Sequence, residues 1–104
     1  MNMKYINLVY DDENELVDLL AVPNVVDDNI ENIVQQFFDW AGSTQNHGYW
    51  RKSESGGYYL ALGAIEFVKW LNNYYLKSIS AVEGKAKIVQ SRVPYNPKYK
   101  SADF

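Results

Sequence analysis

The stretch YYLALGAIEFVKWLNNYYL, from Tyr58 to Leu76, carries the clearest structural pattern in the chain. Its apolar residues recur every three or four positions, as they do on one side of an α-helix. This stripe comprises Leu60, Gly63, Ala64, Phe67, Val68, Leu71, Tyr74 and Tyr75. Burying one large apolar side chain contributes roughly 1.5–3 kcal/mol. We therefore predict a helix over 58–76 that packs against the rest of the chain.

Two residues of this predicted helix carry further expectations. Gly63 lies in its middle, where glycine costs roughly 1 kcal/mol relative to alanine, and a close approach by another element would explain its presence. Trp70 lies off the stripe, four residues after Glu66. Either a sheet covers this second side of the helix or Trp70 faces a partner. The apolar character of more than half of the helix circumference favours the sheet.

A second amphipathic helix is predicted over 28–41. Asp28 is a good N-cap for it, and Glu31 three residues later completes a capping-box pattern. Gly42 is expected to end the helix. Its apolar stripe comprises Ile30, Ile33, Val34, Phe37, Phe38 and Ala41.

Three segments have the composition of β-strands. Residues 3–10 are rich in β-branched and aromatic residues, 16–22 follow a polar turn that suits a hairpin, and 86–93 alternate between apolar and polar positions. A short helical turn is the alternative for 16–22, and Pro23 ends the element in either case. The tail after Pro94 is expected to run extended over the surface.

These elements predict a single α+β domain over residues 1–104. A small antiparallel sheet of about three strands would carry two amphipathic helices on one face. The loop 42–57 between the helices is long, since about 2–8 residues are usual in such a connection. Tyr49 and Trp50 in this loop either tuck into the edge of the core or form exposed anchors for a partner.

The composition excludes several classes of protein. The chain has no cysteine, which excludes a disulfide framework and a thiolate metal site and is compatible with a reducing cytoplasm. Its start lacks the basic and apolar regions of a signal peptide, and no run approaches the ~18 apolar residues of a membrane helix. We therefore expect a cytoplasmic protein that does not bind a membrane.

The charge is divided unequally along the chain. Residues 1–50 contain one lysine and nine acids, a net −8, whereas residues 51–104 contain nine lysines and arginines and four acids, a net +5. Either the two halves attract each other in the fold, or the acidic half is displayed to a basic partner. The overall charge of −3 argues against binding to nucleic acid.

No residue pattern predicts catalysis. His47 is the only histidine and lies in the polar loop, without recognisable partners for a triad or a metal site. Ser53 and Ser55 form no nucleophile elbow, and Gly56-Gly57 lacks the spacing of a phosphate loop. The acidic residues of 11–18 lack the glycine and terminal glutamate of a calcium loop. We expect neither enzyme activity, nor a cofactor, nor a metal site.

The acidic residues are the main candidates for binding a partner. They cluster in the predicted hairpin and at the start of the helix over 28–41, where complementarity to a basic groove would raise the association rate. The candidate residues are Asp11, Asp12, Glu13, Glu15, Asp18, Asp27 and Asp28, with Tyr49, Trp50 and Trp70 as apolar anchors.

Three segments resemble small bacterial immunity or inhibitor proteins: NIENIVQQFFDWAGS (29–43), GAIEFVKWLNNYYLK (63–77) and VPYNPKYKSADF (93–104). The resemblance implies a role in neutralising a toxin by covering its active site. We therefore hypothesise a protein-binding inhibitor of a basic enzyme such as a nuclease toxin, acting as a monomer or a homodimer. The alternatives are a ligand-binding module or small enzyme with a Tyr/Trp-lined pocket, and a homo-oligomeric accessory protein of a phage or mobile element.

Overall fold

A computed structural model describes residues 3–10, 15–44, 48–79 and 85–104 of the chain. The elements are β1 (Met3–Val9), β2 (Leu16–Pro23), α1 (Asn24–Asp27), α2 (Ile30–Ser43), β3 (Trp50–Lys52), β4 (Tyr58–Leu60), α3 (Ala64–Trp70), a π-helical segment (Leu71–Tyr75), α4 (Leu76–Ser78), β5 (Lys87–Pro94) and β6 (Lys100–Asp103). The segments α3, π-helix and α4 follow one another without a break, and we call them together the composite helix.

The main sheet has four strands in the order β5-β2-β1-β6. β2 is antiparallel to both β1 and β5, whereas β6 is parallel to β1, with Ile6 opposite Lys100 and Val9 opposite Asp103. The α+β class and the three predicted strands are confirmed. The expectation of an antiparallel sheet of about three strands is imprecise, because the tail predicted to lie extended on the surface supplies a fourth strand, β6, which is parallel to β1.

The helices pack on one face of this sheet. Ile6 and Leu8 of β1 and Leu20 and Val22 of β2 share a core with the helices and are fully buried. The stripe predicted for α2 is confirmed for five of its six residues, since Ile30, Ile33, Val34, Phe37 and Ala41 are buried. Its sixth residue, Phe38, is partly buried and packs against the core.

The ends of α2 differ from the prediction. The separate turn α1 precedes it, Asn29 is its N-cap residue, and no side chain caps it. Asp28 therefore is not the N-cap. Gly42 does not end the helix, which continues to Ser43 and ends at Thr44 in an extended conformation.

The long helix begins later than its apolar stripe indicates. Residues Tyr58–Leu60 form β4, which pairs with β3 as a separate two-stranded ribbon, and the helix begins only at Ala64. Gly63 is the extended N-cap residue, not a mid-helix contact point, and a Cβ there would lie 3.3 Å from Oε1 of Glu66. Strand pairing of Arg51 with Tyr59 and its neighbours thus overrides the helical period over 58–60.

A π-helical turn changes which side of the composite helix is buried. The amide of Leu76 donates to the carbonyl of Leu71, five residues earlier, so these two buried residues lie on the same side. Tyr74, which a continuous α-helix would bury with the stripe, is 55% exposed. Trp70, predicted off the stripe, is only 5% exposed within the core.

The connection from β5 to β6 crosses the other face of the sheet and is held there by Asn7. Asn7 is fully buried and points away from the helices, because side chains alternate along a strand. Its Nδ2 donates to the carbonyl of Asn96 at 2.9 Å, and its Oδ1 accepts from the amide of Asn96 at 3.1 Å. The ring of Tyr99 lies 5.1 Å from that of Tyr5. One buried side-chain amide thereby holds the segment that leads into β6 against the sheet.

Candidate protein-binding surface

The first group of predicted acids divides into three. Asp11, Asp12 and Glu13 lie outside the described residues, whereas Glu15 is exposed at the start of β2. Asp18 is only 9% exposed and points toward the helices beside Leu8. The expectation that Asp18 lies on the surface is therefore wrong.

Asp18 is occupied by hydrogen bonds within the fold. Its Oδ2 accepts from the hydroxyl of Tyr10, and its Oδ1 accepts from the amide of Arg92 at 2.9 Å. Arg92 has a φ of 56°, in a part of β5 where the register with β2 shifts. The carboxylate of Asp18 thus links the end of β1 to an irregular part of β5. Burial and the neighbouring Asp18 raise the pKa of Tyr10 above its ordinary range.

Asp27 is paired with a lysine of the C-terminal half. The Nζ of Lys100 lies 3.5 Å from its Oδ2 and 2.9 Å from its main-chain oxygen. This pair ties α1 to β6. For this one carboxylate, it supports the hypothesis that the acidic half of the chain attracts the basic half. Asp28, the next residue, is exposed.

Four of the exposed acids line three open depressions that share residues with one another. Asp28 and Glu31 line one open depression, Glu31 and Asp103 line a second, and Asp103 and Glu15 line a third. We call these four carboxylates the acidic margin. Lys100 is the lysine in the first depression, and it is engaged by Asp27. The acidic margin therefore combines Glu15, which precedes β2, Asp28, which follows α1, Glu31 of α2 and Asp103 of β6.

Apolar rings accompany the acidic margin. Phe38 and Phe104 line the second depression with Glu31 and Asp103, and their ring centroids lie 5.0 Å apart. Tyr95 is 47% exposed in the third depression. A surface of this kind offers carboxylates at its border and partly buried rings between them, the composition expected of a protein interface.

The three aromatic residues predicted as anchors lie elsewhere. Trp70 belongs to the core beside Phe37 and Phe67, so the alternative in which this side of the helix is covered is the correct one, and Trp70 is not an exposed anchor. Trp50 is partly buried, and its Nε1 donates to the carbonyl of Thr44 at 3.1 Å. The ring of Tyr49 lies 6.2 Å from that of Trp40. Tyr49 and Trp50 therefore attach the β3–β4 ribbon to the end of α2.

The position of Tyr49 also changes its acidity. Burial raises the pKa of the Tyr49 hydroxyl, and the nearby carboxylate of Glu66 raises it further. A tyrosine hydroxyl is already protonated at neutral pH, and this shift extends the protonated form to more alkaline pH. The hydroxyl can act as a hydrogen-bond donor and carries no charge.

Part of the acidic margin has no signal in the local sequence. Asp103 ends a four-residue strand, and Phe104 follows it. The partner of this strand, β1, lies near the other end of the chain, so no local pattern marks these two residues. Glu31 was interpreted as half of a capping box, yet no side-chain cap forms at the start of α2. An exposed acid in the first helical turn is the signal that could have identified it.

The chain was compared with protein-family models, with curated proteins and with solved structures, and none of them matches it. None of the described helices is both long enough and apolar enough to span a membrane. The described residues contain no group of three or more histidines and acids arranged to hold a metal ion. A functional proposal therefore depends on the acidic margin and its surroundings.

Proposed function

We propose that this chain is a protein-binding inhibitor of the immunity type, which neutralises a basic enzyme by covering its active site with the acidic margin. A nuclease toxin is the kind of enzyme that fits. The observation that carries the proposal is the placement of Glu15, Asp28, Glu31 and Asp103 along three adjoining depressions. These exposed carboxylates come from separate parts of the sequence and are brought together only by the fold.

The chemistry of a nuclease groove matches such a surface. A groove that binds the phosphate backbone carries lysine and arginine side chains, and carboxylates can take the place of phosphates there. Complementary charge raises the association rate and disfavours partners of the wrong sign. The partly buried rings of Phe38 and Phe104 would add apolar contact near the carboxylates of Glu31 and Asp103.

The alternative of a ligand pocket between helix and sheet has less support. Phe37, Phe67 and Leu71 fill that layer and are fully buried, and Trp70 closes it with 5% exposure. The described depressions that contain tyrosine or phenylalanine are open and lie at the border of the sheet. A small-molecule site normally surrounds most of its ligand, so a macromolecular partner fits these surfaces better.

The proposal can be tested by affinity capture with two variants of the chain as baits, which differ only in which acids are changed to lysine. The first is Asp28→Lys/Glu31→Lys, which alters the acidic margin. The matched control is Asp39→Lys/Glu54→Lys, which reverses two exposed acids at the far end of α2 and in the ribbon turn. Captured proteins are identified by mass spectrometry, and the activity of each is assayed with one equivalent of the chain.

The expected partner binds the wild type and the control bait, is captured much less by Asp28→Lys/Glu31→Lys, and loses its enzyme activity when the chain is added. A partner captured equally by both baits would overturn the role of the acidic margin. A partner that keeps full activity in the complex would overturn inhibition. Circular dichroism of each bait checks that the fold is retained.

A further inference from the structure

Among the described residues, the four most exposed large apolar side chains all follow the β3–β4 turn. Tyr58, Tyr59, Ile65 and Tyr74 are 70%, 52%, 58% and 55% exposed. They come from β4 and the composite helix, near the end of α2 that is remote from Asp28. This region therefore differs from the acidic margin in both position and chemistry.

The register of the ribbon determines which backbone groups of β4 remain free. The amide of Ser53 donates to Gly57 and that of Ala61 donates to Tyr49, so hydrogen-bonded pairs alternate along the two strands. Tyr59 therefore directs its N–H and C=O inward to Arg51, whereas Tyr58 and Leu60 direct theirs outward. No described strand pairs with this outer edge of β4.

The outer edge of β4 carries none of the charges that discourage pairing at an edge strand. Natural edge strands are kept from further pairing by charges, by bulges or by shortness, and of these β4 has only its length of three residues. β5 has charges in Lys87 and Arg92 and shifts in its register with β2. β4 consists of Tyr58, Tyr59 and Leu60 alone and carries no charge.

We infer that a second copy of this chain pairs with β4 along this edge, in antiparallel orientation, with a two-fold axis at Tyr59. Tyr58 then lies opposite the Leu60 of the other copy, and each of these two residues both donates and accepts one main-chain hydrogen bond. Tyr59 lies directly opposite its own equivalent. The two ribbons join as one four-stranded sheet, which is a more stable unit than two isolated strands.

A second copy fits this edge better than a charged segment does. The two-fold arrangement uses every outward backbone group of Tyr58 and Leu60, and it places aromatic and aliphatic side chains beside one another. The positive charges of Arg51 and Lys52 belong to β3. In the paired sheet the two β3 strands are three strand spacings apart, about 14 Å, beyond the ~8 Å range of unscreened repulsion at physiological salt.

Pairing at this edge leaves the acidic margin accessible. The ribbon is attached near Thr44 by the side chain of Trp50, whereas Asp28 and Glu31 lie at the start of α2. A helix of 14 residues separates its ends by about 21 Å. The dimer would thus present two acidic margins, and it stands independently of the proposed inhibition.

The test is sedimentation equilibrium of the purified full chain between about 10 μM and about 1 mM, the range of weak association for a small interface. The test variant is Tyr59→Glu. Within one chain the new carboxylate lies opposite Arg51, so the ribbon should be retained, whereas in the dimer two carboxylates would lie opposite each other. The control is Tyr95→Glu, the same change at a 47% exposed tyrosine away from the ribbon. Amide exchange measured by NMR provides a second readout.

The wild type is expected to approach twice the 12.0 kDa mass of the chain, with slower exchange of the Tyr58 and Leu60 amides as concentration rises. The Tyr59 amide, already bonded within the ribbon, is the internal reference. Tyr59→Glu should weaken association at least about tenfold, and Tyr95→Glu should leave it unchanged. A wild type that stays at 12.0 kDa throughout, or a dimer without added protection of Tyr58 and Leu60, would overturn the inference.

Discussion

The amide side chain of Asn7 exchanges two hydrogen bonds with the main chain of Asn96, 89 residues later in the sequence. Its Nδ2 also lies 3.3 Å from the carbonyl oxygens of Tyr99 and Lys100. A fully buried polar group in the middle of a strand thereby holds the crossover that leads to β6. Since β6 supplies Asp103, the acidic margin depends on this contact.

Replacing Asn7 by Ala should therefore lower the free energy of unfolding by about 3 kcal/mol, because buried partners lose their hydrogen bonds. Asn7→Asp should cost more, since it sets carboxylate oxygens against the three carbonyls that the Nδ2 now faces. Urea unfolding measures both variants, and amide exchange of 100–103 reports whether β6 detaches. Equal stability of Asn7→Ala and the wild type would contradict the role given to this side chain.

Tyr10 should make the free energy of unfolding fall at alkaline pH. Its pKa is raised in the folded chain by burial and by Asp18, so above pH 10.0, its ordinary value, the unfolded chain ionises while the folded chain does not. Stability is therefore complete below that pH and falls as the pH rises. Tyr10→Phe should be less stable than the wild type by about 2 kcal/mol at neutral pH, through loss of the bond to a carboxylate.

The difference between wild type and Tyr10→Phe should shrink when urea unfolding is repeated at about pH 11. Tyr58→Phe, at a 70% exposed tyrosine, is the control for removal of a hydroxyl without its buried bond. A difference that is the same at both pH values would show that the Tyr10 hydroxyl does not carry this dependence.

Asn72 and Asn73 are adjacent asparagines with different surroundings, so they serve as a test position and its control. The side chain of Asn72 donates to the carbonyl of Ala86 at 3.0 Å and accepts from its amide at 2.8 Å, which ties the π-helical segment to the start of β5. Asn73 is exposed. We expect Asn72→Ala to lower stability by about 2 kcal/mol and Asn73→Ala by less than about 0.5 kcal/mol. Faster amide exchange at 86–90 only in Asn72→Ala would locate the effect.

Lys100 should matter for association more than for stability. Its pair with Asp27 is partly solvated, so Lys100→Met is expected to change the free energy of unfolding by less than about 1 kcal/mol. The same change removes a positive charge from the depression beside Asp28 and should speed association with a basic partner. Stopped-flow mixing measures the rate, and Lys98→Met is the control. A slower rate for Lys100→Met would contradict the charge argument.

Local pattern predicts much of this fold and little of its surface. The apolar stripe of α2 follows from its helical periodicity, and β1, β2 and β5 follow from their composition and from turn residues. The structure has these elements close to their predicted bounds. The π-helical turn could not be predicted, because nothing in LNNYY distinguishes it from α-helix. β6 and the burial of Asp18 arise from pairing between distant segments. The acidic margin, which includes Asp103, was therefore visible only in part as a run of charge.

The acidic margin is proposed to bind a basic enzyme through charge, and the affinity for the captured enzyme between about 50 and about 500 mM salt measures that contribution. Binding of the wild type and of Asp39→Lys/Glu54→Lys should weaken steeply as the salt concentration rises. Binding of Asp28→Lys/Glu31→Lys should be weak and nearly independent of salt. Equal affinity and equal salt dependence of all three proteins would show that the acidic margin does not form the interface.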